Sequence, residues 1–134
     1  MEPWKKIALT ALASLATAGV QAAPEKTPSG LIYESIKDGS GAQATPEANV
    51  QVHYRGTLTN GTEFDSSYKR GQPATFPLNR VIPCWTEGVS KMKEGGKAKL
   101  TCPPNIAYGS RGAGAAVPPN ATLNFEVELL KVMR

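Results

Sequence analysis

The chain has few of the residues from which catalytic centres are usually built. Its 134 residues include one histidine and two cysteines. The histidine, His53, stands on the polar side of an alternating segment, and no cysteine or carboxylate lies near it at the spacing of metal ligands. We therefore expect no metal and interpret His53 as a structural hydrogen-bonding residue. No nucleophile elbow and no Gly-x-Gly-x-x-Gly loop before a helix occurs, so no serine hydrolase chemistry and no cofactor is predicted.

Long hydrophobic runs are also scarce, and the one near the N-terminus is too short for a membrane span. It covers residues 7–20, follows Lys5 and Lys6, and precedes the small side chain of Ala22. A transmembrane helix needs roughly 20 apolar residues, so the pattern predicts a cleaved signal peptide over residues 1–22. No cysteine at the cleavage point offers a lipid anchor. We expect a periplasmic or secreted protein without a stable membrane anchor.

A concentrated charge of one sign is missing as well. The formal net charge is +4, and the basic residues are scattered, with one loose group between Lys91 and Lys99. Such a group is typical of a solvated strand or helix edge, so nucleic acid is not expected as a partner.

The two cysteines, Cys84 and Cys102, carry information because the chain is expected to be exported. In an oxidising compartment such a pair is more often a disulfide than two buried thiols, although both remain open from the residues alone. A redox-active dithiol is disfavoured because the spacing Cys-x-x-Cys is absent.

Strand patterns dominate the rest of the chain. Five segments have the alternation or composition of strands, namely residues 31–36, 50–58, 63–65, 97–102 and 122–132. A short extended piece covers residues 74–78, and Asn60-Gly61 predicts a tight hairpin turn. Residues 23–30 are polar and contain two prolines, so we predict a flexible N-terminal segment there.

One short helix is predicted in the middle of the chain. Pro83 fits the first helical position, and Trp85, Val89 and Met92 have the spacing of a single apolar helix face. The segment ends before Gly95-Gly96. A half-exposed antiparallel sheet that covers one helix is an α+β domain, and no linker to a second domain follows.

A group of aromatic side chains and one carboxylate remains to be explained. It comprises Tyr54, Phe64, Asp65, Phe76, Trp85, Tyr108 and Phe125. All could belong to the core, with Asp65 capping the turn that follows it. The alternative is an apolar pocket with few polar groups, and the residues alone leave the choice open.

Several motifs, in this order, resemble a known family. They are Val52-His53-Tyr54-Arg55-Gly56, Gly61-Thr62-Glu63-Phe64-Asp65, Val81-Ile82-Pro83-Cys84-Trp85, Ala107-Tyr108-Gly109, Val117-Pro118-Pro119-Asn120 and Phe125-Glu126-Val127-Glu128. The family is the FKBP-type peptidyl-prolyl cis–trans isomerases, and the resemblance is strongest to bacterial exported members such as the catalytic domain of macrophage infectivity potentiators. It covers the chain from about Pro28 onward and implies one domain over residues 31–134. The implied fold is a five-stranded antiparallel sheet wrapped around one short α-helix.

The resemblance also implies roles for the aromatic group. The residues implied in catalysis are Asp65, Tyr108 and Trp85, with Trp85 as the pocket floor. The implied substrate-binding residues are Tyr54, Phe64, Phe76, Val81, Ile82, Val117 and Phe125. Among them, the backbone N–H of Ile82 would hold a substrate carbonyl. The hydroxyl of Tyr108 would bond the substrate, and Asp65 would be the one carboxylate of the pocket.

Substrates and inhibitors follow from the same resemblance. It implies acceleration of X-Pro rotation in proline-containing polypeptides during folding of exported proteins, with tacrolimus or rapamycin as inhibitors. The alternative is a module or chaperone that binds proline-containing segments with little turnover. No dimerisation arm like that of infectivity potentiators is seen, so we predict a monomer. Cys84 replaces a usual glycine and Cys102 a usual aliphatic residue, which strengthens the disulfide hypothesis.

Overall fold

The computed structural model describes residues 24–133, which form one antiparallel sheet with short helices. The strands are β1 (Glu25–Lys26), β2 (Ile32–Lys37), β3 (Asn49–Leu58), β4 (Glu63–Ser66), β5 (Ala74–Pro77), β6 (Lys97–Cys102) and β7 (Leu123–Met133). The α-helices are α1 (Ser67–Arg70) and α2 (Pro83–Val89), and 3₁₀ turns cover Leu78–Arg80 and Pro104–Ile106. The predicted signal peptide, residues 1–22, lies outside the described residues.

The strand order in the sheet is β1-β2-β6-β7-β3-β4, and β5 also pairs with β3. The last strand, β7, therefore lies in the middle, between β6 and β3, with Tyr54 opposite Val127 and Leu100 opposite Phe125. Alternation along these strands sends one set of side chains inward, where Val52 and Val127 are fully buried. The predicted α+β class and antiparallel sheet are confirmed.

The predicted number of strands, five, was too low, since the described residues form seven. Strand β3 is long enough to pair along one edge with two partners: residues 49–52 pair with β5 and residues 55–57 with β4. The short extended piece expected at residues 74–78 thus becomes a strand. Its alternation is too brief to predict a partner, which β3 supplies.

The segment expected to be flexible, residues 23–30, contains the remaining extra strand. Within its described part, β1 pairs with β2, and the backbone N–H of Thr27 donates to the Leu31 carbonyl at 2.8 Å. The hydroxyl of Ser29 also donates to the carboxylate of Glu87. Polar and proline-rich composition indicates mobility, but here these polar groups have partners on the folded domain.

Helix α2 packs on the inner face of the sheet, as predicted. Pro83 occupies its first turn, and the N–H groups of Trp85 and Thr86 donate to the Ile82 carbonyl at 2.9 and 3.2 Å. A Cβ at Gly88 would lie 2.8 Å from a methyl carbon of Leu100 in β6. The absence of a side chain at this position therefore lets the helix approach the sheet closely.

A disulfide between Cys84 and Cys102 joins helix α2 to the end of β6, as the sequence predicted. The two Cα atoms are 5.8 Å apart, and both residues are fully buried in the core. The bond holds the helix residue next to Trp85 against the sheet.

The part of the chain between residues 24 and 133 contains no helix with the length and hydrophobicity to cross a bilayer. Within the same range no cluster of three or more histidine, cysteine or acidic side chains is arranged to hold a metal ion.

Candidate functional site

Nine of the ten residues predicted to form a site surround one open cavity of about 320 Å³. The cavity is lined by Tyr54, Phe64, Asp65, Phe76, Arg80, Val81, Ile82, Trp85, Tyr108 and Phe125. Six of these ten side chains are aromatic, aliphatic residues supply two more, and Asp65 and Arg80 carry the charges. The aromatic group therefore lines a pocket, and three of its members, Tyr54, Trp85 and Phe125, also belong to the buried core.

Trp85 contacts three other aromatic rings of the pocket and is 4% exposed. Its ring meets those of Tyr54, Phe76 and Phe125 at centroid distances of 5.2, 5.5 and 5.4 Å, with interplanar angles of 85° to 86°. These edge-to-face contacts are the favoured geometry of aromatic pairs. Its buried indole N–H has no hydrogen-bond partner among the described residues, so aromatic packing holds the ring in place.

Glycine in β3 makes room for another part of the wall. Phe64 and Phe125 meet edge to face at 5.6 Å and 80° above Gly56, which pairs with Phe125 in the sheet. A Cβ at Gly56 would lie 2.6 Å from Phe64 Cζ and 2.9 Å from Phe125 Cε1. Both rings can line the cavity only because residue 56 has no side chain.

The carboxylate of Asp65 is the centre of a hydrogen-bond network at the pocket edge. Its Oδ2 accepts from the Tyr54 hydroxyl at 2.6 Å, and its Oδ1 accepts from Arg70 Nη1 at 2.8 Å and from the Ser66 N–H at 2.9 Å. Arg70 Nη2 also donates to the Tyr54 hydroxyl at 2.9 Å. The negative charge of Asp65 is thus paired, and the phenol of Tyr54 is held by both partners.

The network lowers the pKa of Asp65. Burial alone would raise this pKa, but hydrogen bonds from Tyr54 and Arg70, with the positive charge of Arg70, outweigh the burial. The pKa of the Tyr54 hydroxyl is raised, first by burial and then by its bond to Asp65. At neutral pH, Asp65 is therefore an ionised acceptor and Tyr54 a neutral donor.

Helix α1, which supplies Arg70, was not predicted from the sequence. The Ser66 hydroxyl caps it by accepting from the Lys69 N–H at 3.3 Å, and Gly71 ends it in a left-handed conformation with φ 74°. Serine before and glycine after a short segment were the available signal. Because no helix was predicted here, the partner of Asp65 was missed.

His53 has the structural role expected for it. Its Nδ1 lies 2.8 Å from Oγ of the fully buried Ser67, and the same Oγ accepts from the Tyr54 N–H at 2.7 Å. The His53 ring stacks on Tyr68 at 4.7 Å and 11°. These contacts join α1 to β3 on the side of the sheet away from the cavity and fix the backbone that carries Tyr54.

Two polar groups of the pocket have no partner among residues 24–133. The N–H of Ile82 donates to no described acceptor, and neither does the hydroxyl of Tyr108, a residue that is 40% exposed. The pKa of Tyr108 is raised by burial and then by the charge of Asp65, so its hydroxyl keeps its proton. Both groups are donors on residues that line the cavity.

Val117 and Arg80 differ from the expectation. Val117, predicted as a pocket wall, does not line the cavity; it is 2% exposed and pairs with Ala113 across the turn of its own loop. The bridge turns its side chain into the core. Arg80 lines the cavity, although no role was predicted for it. Its place next to Val81-Ile82 was the only signal.

Residues 40–130 match the family described as FKBP-type peptidyl-prolyl cis-trans isomerase. The chain is 56% identical over 108 residues to the FKBP-type peptidyl-prolyl cis-trans isomerase FkpA of Aeromonas hydrophila, covering 81% of this chain and 40% of that protein. It is 54% identical over 105 residues to an FK506-binding protein of Neisseria meningitidis, covering 77% and 96% of the two chains.

A solved structure shows the same fold. The crystal structure of FkpA from Escherichia coli matches with a TM-score of 0.79 and 47% identity, covering 82% of this chain and 51% of that one. The chain therefore spans about half of the FkpA structure, less than half of the Aeromonas relative and nearly all of the Neisseria one. The family expected from the motifs is confirmed. The chain belongs to the FKBP-type peptidyl-prolyl cis-trans isomerases.

Proposed function

We propose that this protein is a peptidyl-prolyl cis–trans isomerase that accelerates X-Pro rotation in proteins exported from the cytoplasm. The observation that carries the proposal is the cavity of about 320 Å³, whose wall is largely aromatic and whose one carboxylate is already neutralised by Arg70. It offers a dry surface with two free donors, and this chemistry needs no nucleophile.

The physical reason lies in the peptide bond itself. Resonance between the imide nitrogen and carbonyl gives an X-Pro bond a rotation barrier of roughly 18–20 kcal/mol. This resonance is lost in the twisted transition state, which leaves the imide less polar than in the planar form. An apolar cavity therefore binds the twisted imide better than water does, and only such differential binding accelerates the reaction.

Three polar groups are proposed to orient the substrate over Trp85. The N–H of Ile82 donates to a substrate carbonyl beside the proline, and the hydroxyl of Tyr108 donates to a second acceptor. Asp65 holds the Tyr54 phenol and the guanidinium of Arg70 in position. Because the pKa of Asp65 is lowered, we assign it an electrostatic role and no proton transfer.

The first test is isomerisation of a peptide of the type Ala-Leu-Pro-Phe, measured with and without rapamycin. Catalysis that rapamycin inhibits is the expected result. Binding of the peptide without catalysis would replace the proposal with a proline-peptide-binding module. If neither is observed, the aromatic residues serve only the core.

Tyr108 and Tyr68 form a matched pair for a sharper test. They are 40% and 43% exposed, but only Tyr108 lines the cavity. Loss of one hydrogen bond, worth about 0.5–1.5 kcal/mol, predicts that Tyr108→Phe lowers kcat/KM about 2- to 12-fold. Tyr68→Phe should leave it unchanged. An equal effect of the two substitutions would remove Tyr108 from the proposed site.

The remaining proposals concern inhibitors, location and assembly. Tacrolimus and rapamycin are proposed to bind the same cavity, so either should raise the melting temperature of the protein and be displaced by proline peptides.

Cleavage after Ala22 and export are tested by N-terminal sequencing of the protein from a periplasmic or culture fraction. A monomer remains the prediction for the assembly state, and light scattering measures it.

A further inference from the structure

Arg80 is the one charged residue of the cavity lining whose charge no described residue balances. It ends the 3₁₀ turn Leu78–Arg80 and is exposed. Across residues 24–133 its guanidinium has neither a hydrogen bond nor an ion pair with a neighbouring side chain. The other charged lining residue, Asp65, is paired with Arg70 at 2.8 Å. The lining itself carries one charge of each sign, and because Arg70 balances Asp65, the unbalanced charge at the cavity is that of Arg80.

The backbone that carries Arg80 is well anchored. The N–H of Leu78 donates to the Ala48 carbonyl at 3.0 Å, and the hydroxyl of Thr86 in helix α2 donates to the Leu78 carbonyl at 2.5 Å. These two hydrogen bonds attach the turn to the residue that precedes β3 and to helix α2, which carries Trp85. The backbone of Arg80 is consequently held in place relative to the cavity, and its side chain is exposed.

The position of Arg80 relative to the proposed substrate anchor sets what it can reach. It precedes Ile82 by two residues, a chain length that spans at most about 7 Å. An arginine side chain has a similar length. A substrate held by the Ile82 N–H therefore presents the side chains on either side of its proline within range of the guanidinium. Arginine binds carboxylates through two parallel N–H donors, which makes an acidic side chain its best partner.

We propose that Arg80 is a specificity-determining residue that selects substrates with an aspartate or glutamate directly before or after the proline. This inference rests on the isomerase function proposed above and deepens it. The guanidinium pairs with the substrate carboxylate at the rim while the proline occupies the apolar cavity. An exposed ion pair is worth little in water, so the selectivity is modest and is reduced by salt.

The test uses two N-acetylated peptide series that are uncharged apart from one varied position, where Glu, Gln or Lys stands either before or after the proline. For the natural protein, kcat/KM should be about 2- to 5-fold higher with Glu than with Gln in at least one series, and lower with Lys, as expected for an exposed pair. The Glu-to-Gln ratio should fall to about 1 in Arg80→Gln and be kept in part by Arg80→Lys. Salt near 1 M, where the Debye length is about 3 Å, should also remove it.

Lys99→Gln is the matched control because it changes the net charge by the same amount. Lys99 lies on the outer face of β6, since its neighbours Ala98 and Leu100 are fully buried on the inner face. The Glu-to-Gln ratio should be unchanged in this variant. Equal loss in both variants would indicate the overall charge of the protein and overturn the assignment to Arg80. Equal kcat/KM for Glu and Gln in both series would overturn it as well, whereas no catalysis of any peptide would overturn the isomerase function itself.

Discussion

Removing the disulfide by the double substitution Cys84→Ala and Cys102→Ala tests how the helix is held in the sheet. The bond spans a sequence separation of 18 and links helix α2 to β6. In the chain-entropy account, a loop of this length restricts the unfolded chain by about 3 kcal/mol at 25 °C. We therefore expect the free energy of unfolding to fall by about 3 kcal/mol.

Urea unfolding followed by Trp85 fluorescence measures this change. The slope of the free energy against urea should increase, because the unfolded chain without the bond is more expanded and exposes more surface. A second sample, the natural protein reduced in urea and kept reduced, lacks the disulfide but keeps both buried sulfur atoms. Comparing it with the double variant separates the effect of the bond from that of sulfur packing. The reduced natural protein should show nearly the same loss as the double variant.

Activity offers a second measurement on the same variant. Helix α2 is also held by the contact of Gly88 with Leu100 and by the bond from Thr86 to Leu78. We therefore expect isomerase activity at temperatures well below unfolding to persist. If the reduced natural protein unfolds at the same urea concentration as the oxidised one, the entropic reasoning is refuted. Loss of activity in a variant that remains folded would instead show that the disulfide positions Trp85, the residue next to Cys84.

Three further predictions concern the packing and the polar network. Gly88→Ala should lower the free energy of unfolding by about 1–3 kcal/mol in a urea titration, because crowding against Leu100 exceeds the gain of about 1 kcal/mol in helix propensity; a stabilised variant would contradict the close approach. Ser67→Ala should cost about 1–3 kcal/mol in the same assay, because it leaves the buried N–H of Tyr54 without its acceptor, and an unchanged midpoint would argue against that bond. Tyr54→Phe should raise the pKa of Asp65, measured by NMR titration, because the lost hydrogen bond favours the ionised form. Because the pKa of Asp65 is lower in the folded protein than in the unfolded chain, its ionised form stabilises the fold above the unfolded value of about 3.9. This contribution to the free energy of unfolding should be lost as the pH falls from that value through the lowered pKa of the folded state.

Periodicity and turn chemistry were sufficient to predict most of the sheet and the central helix. The alternation of β7 has only one solution with a buried face, and Asn60-Gly61 does form the hairpin, with Gly61 at φ 90°. Pro83 marks the start of α2 because its missing N–H costs nothing there. These signals are local, and each is decided within a few residues of the chain.

The features that the sequence did not predict depend on contacts with residues that are distant in the sequence. Strand β5 exists because β3 leaves part of an edge free, and the burial of Val117 depends on the shape of its own loop. The guanidinium of Arg70 reaches Asp65 only once α1 has formed. Charges such as Arg80 are also difficult to predict, because an exposed arginine has the same appearance in a sequence whether it lines a cavity or faces bulk water.

The central place of the last strand has a consequence for the order of folding. Gly56 in β3 pairs with Phe125 in β7 although the two residues are far apart in the sequence, and β7 lies between β6 and β3 in the sheet. Contacts between such remote positions raise the contact order, which slows folding to the millisecond-to-second range typical of β-rich domains. The cavity, which Phe125 lines, therefore cannot assemble before strand β7 has been synthesised. Under the proposed function, a nascent chain that lacks β7 is therefore without isomerase activity.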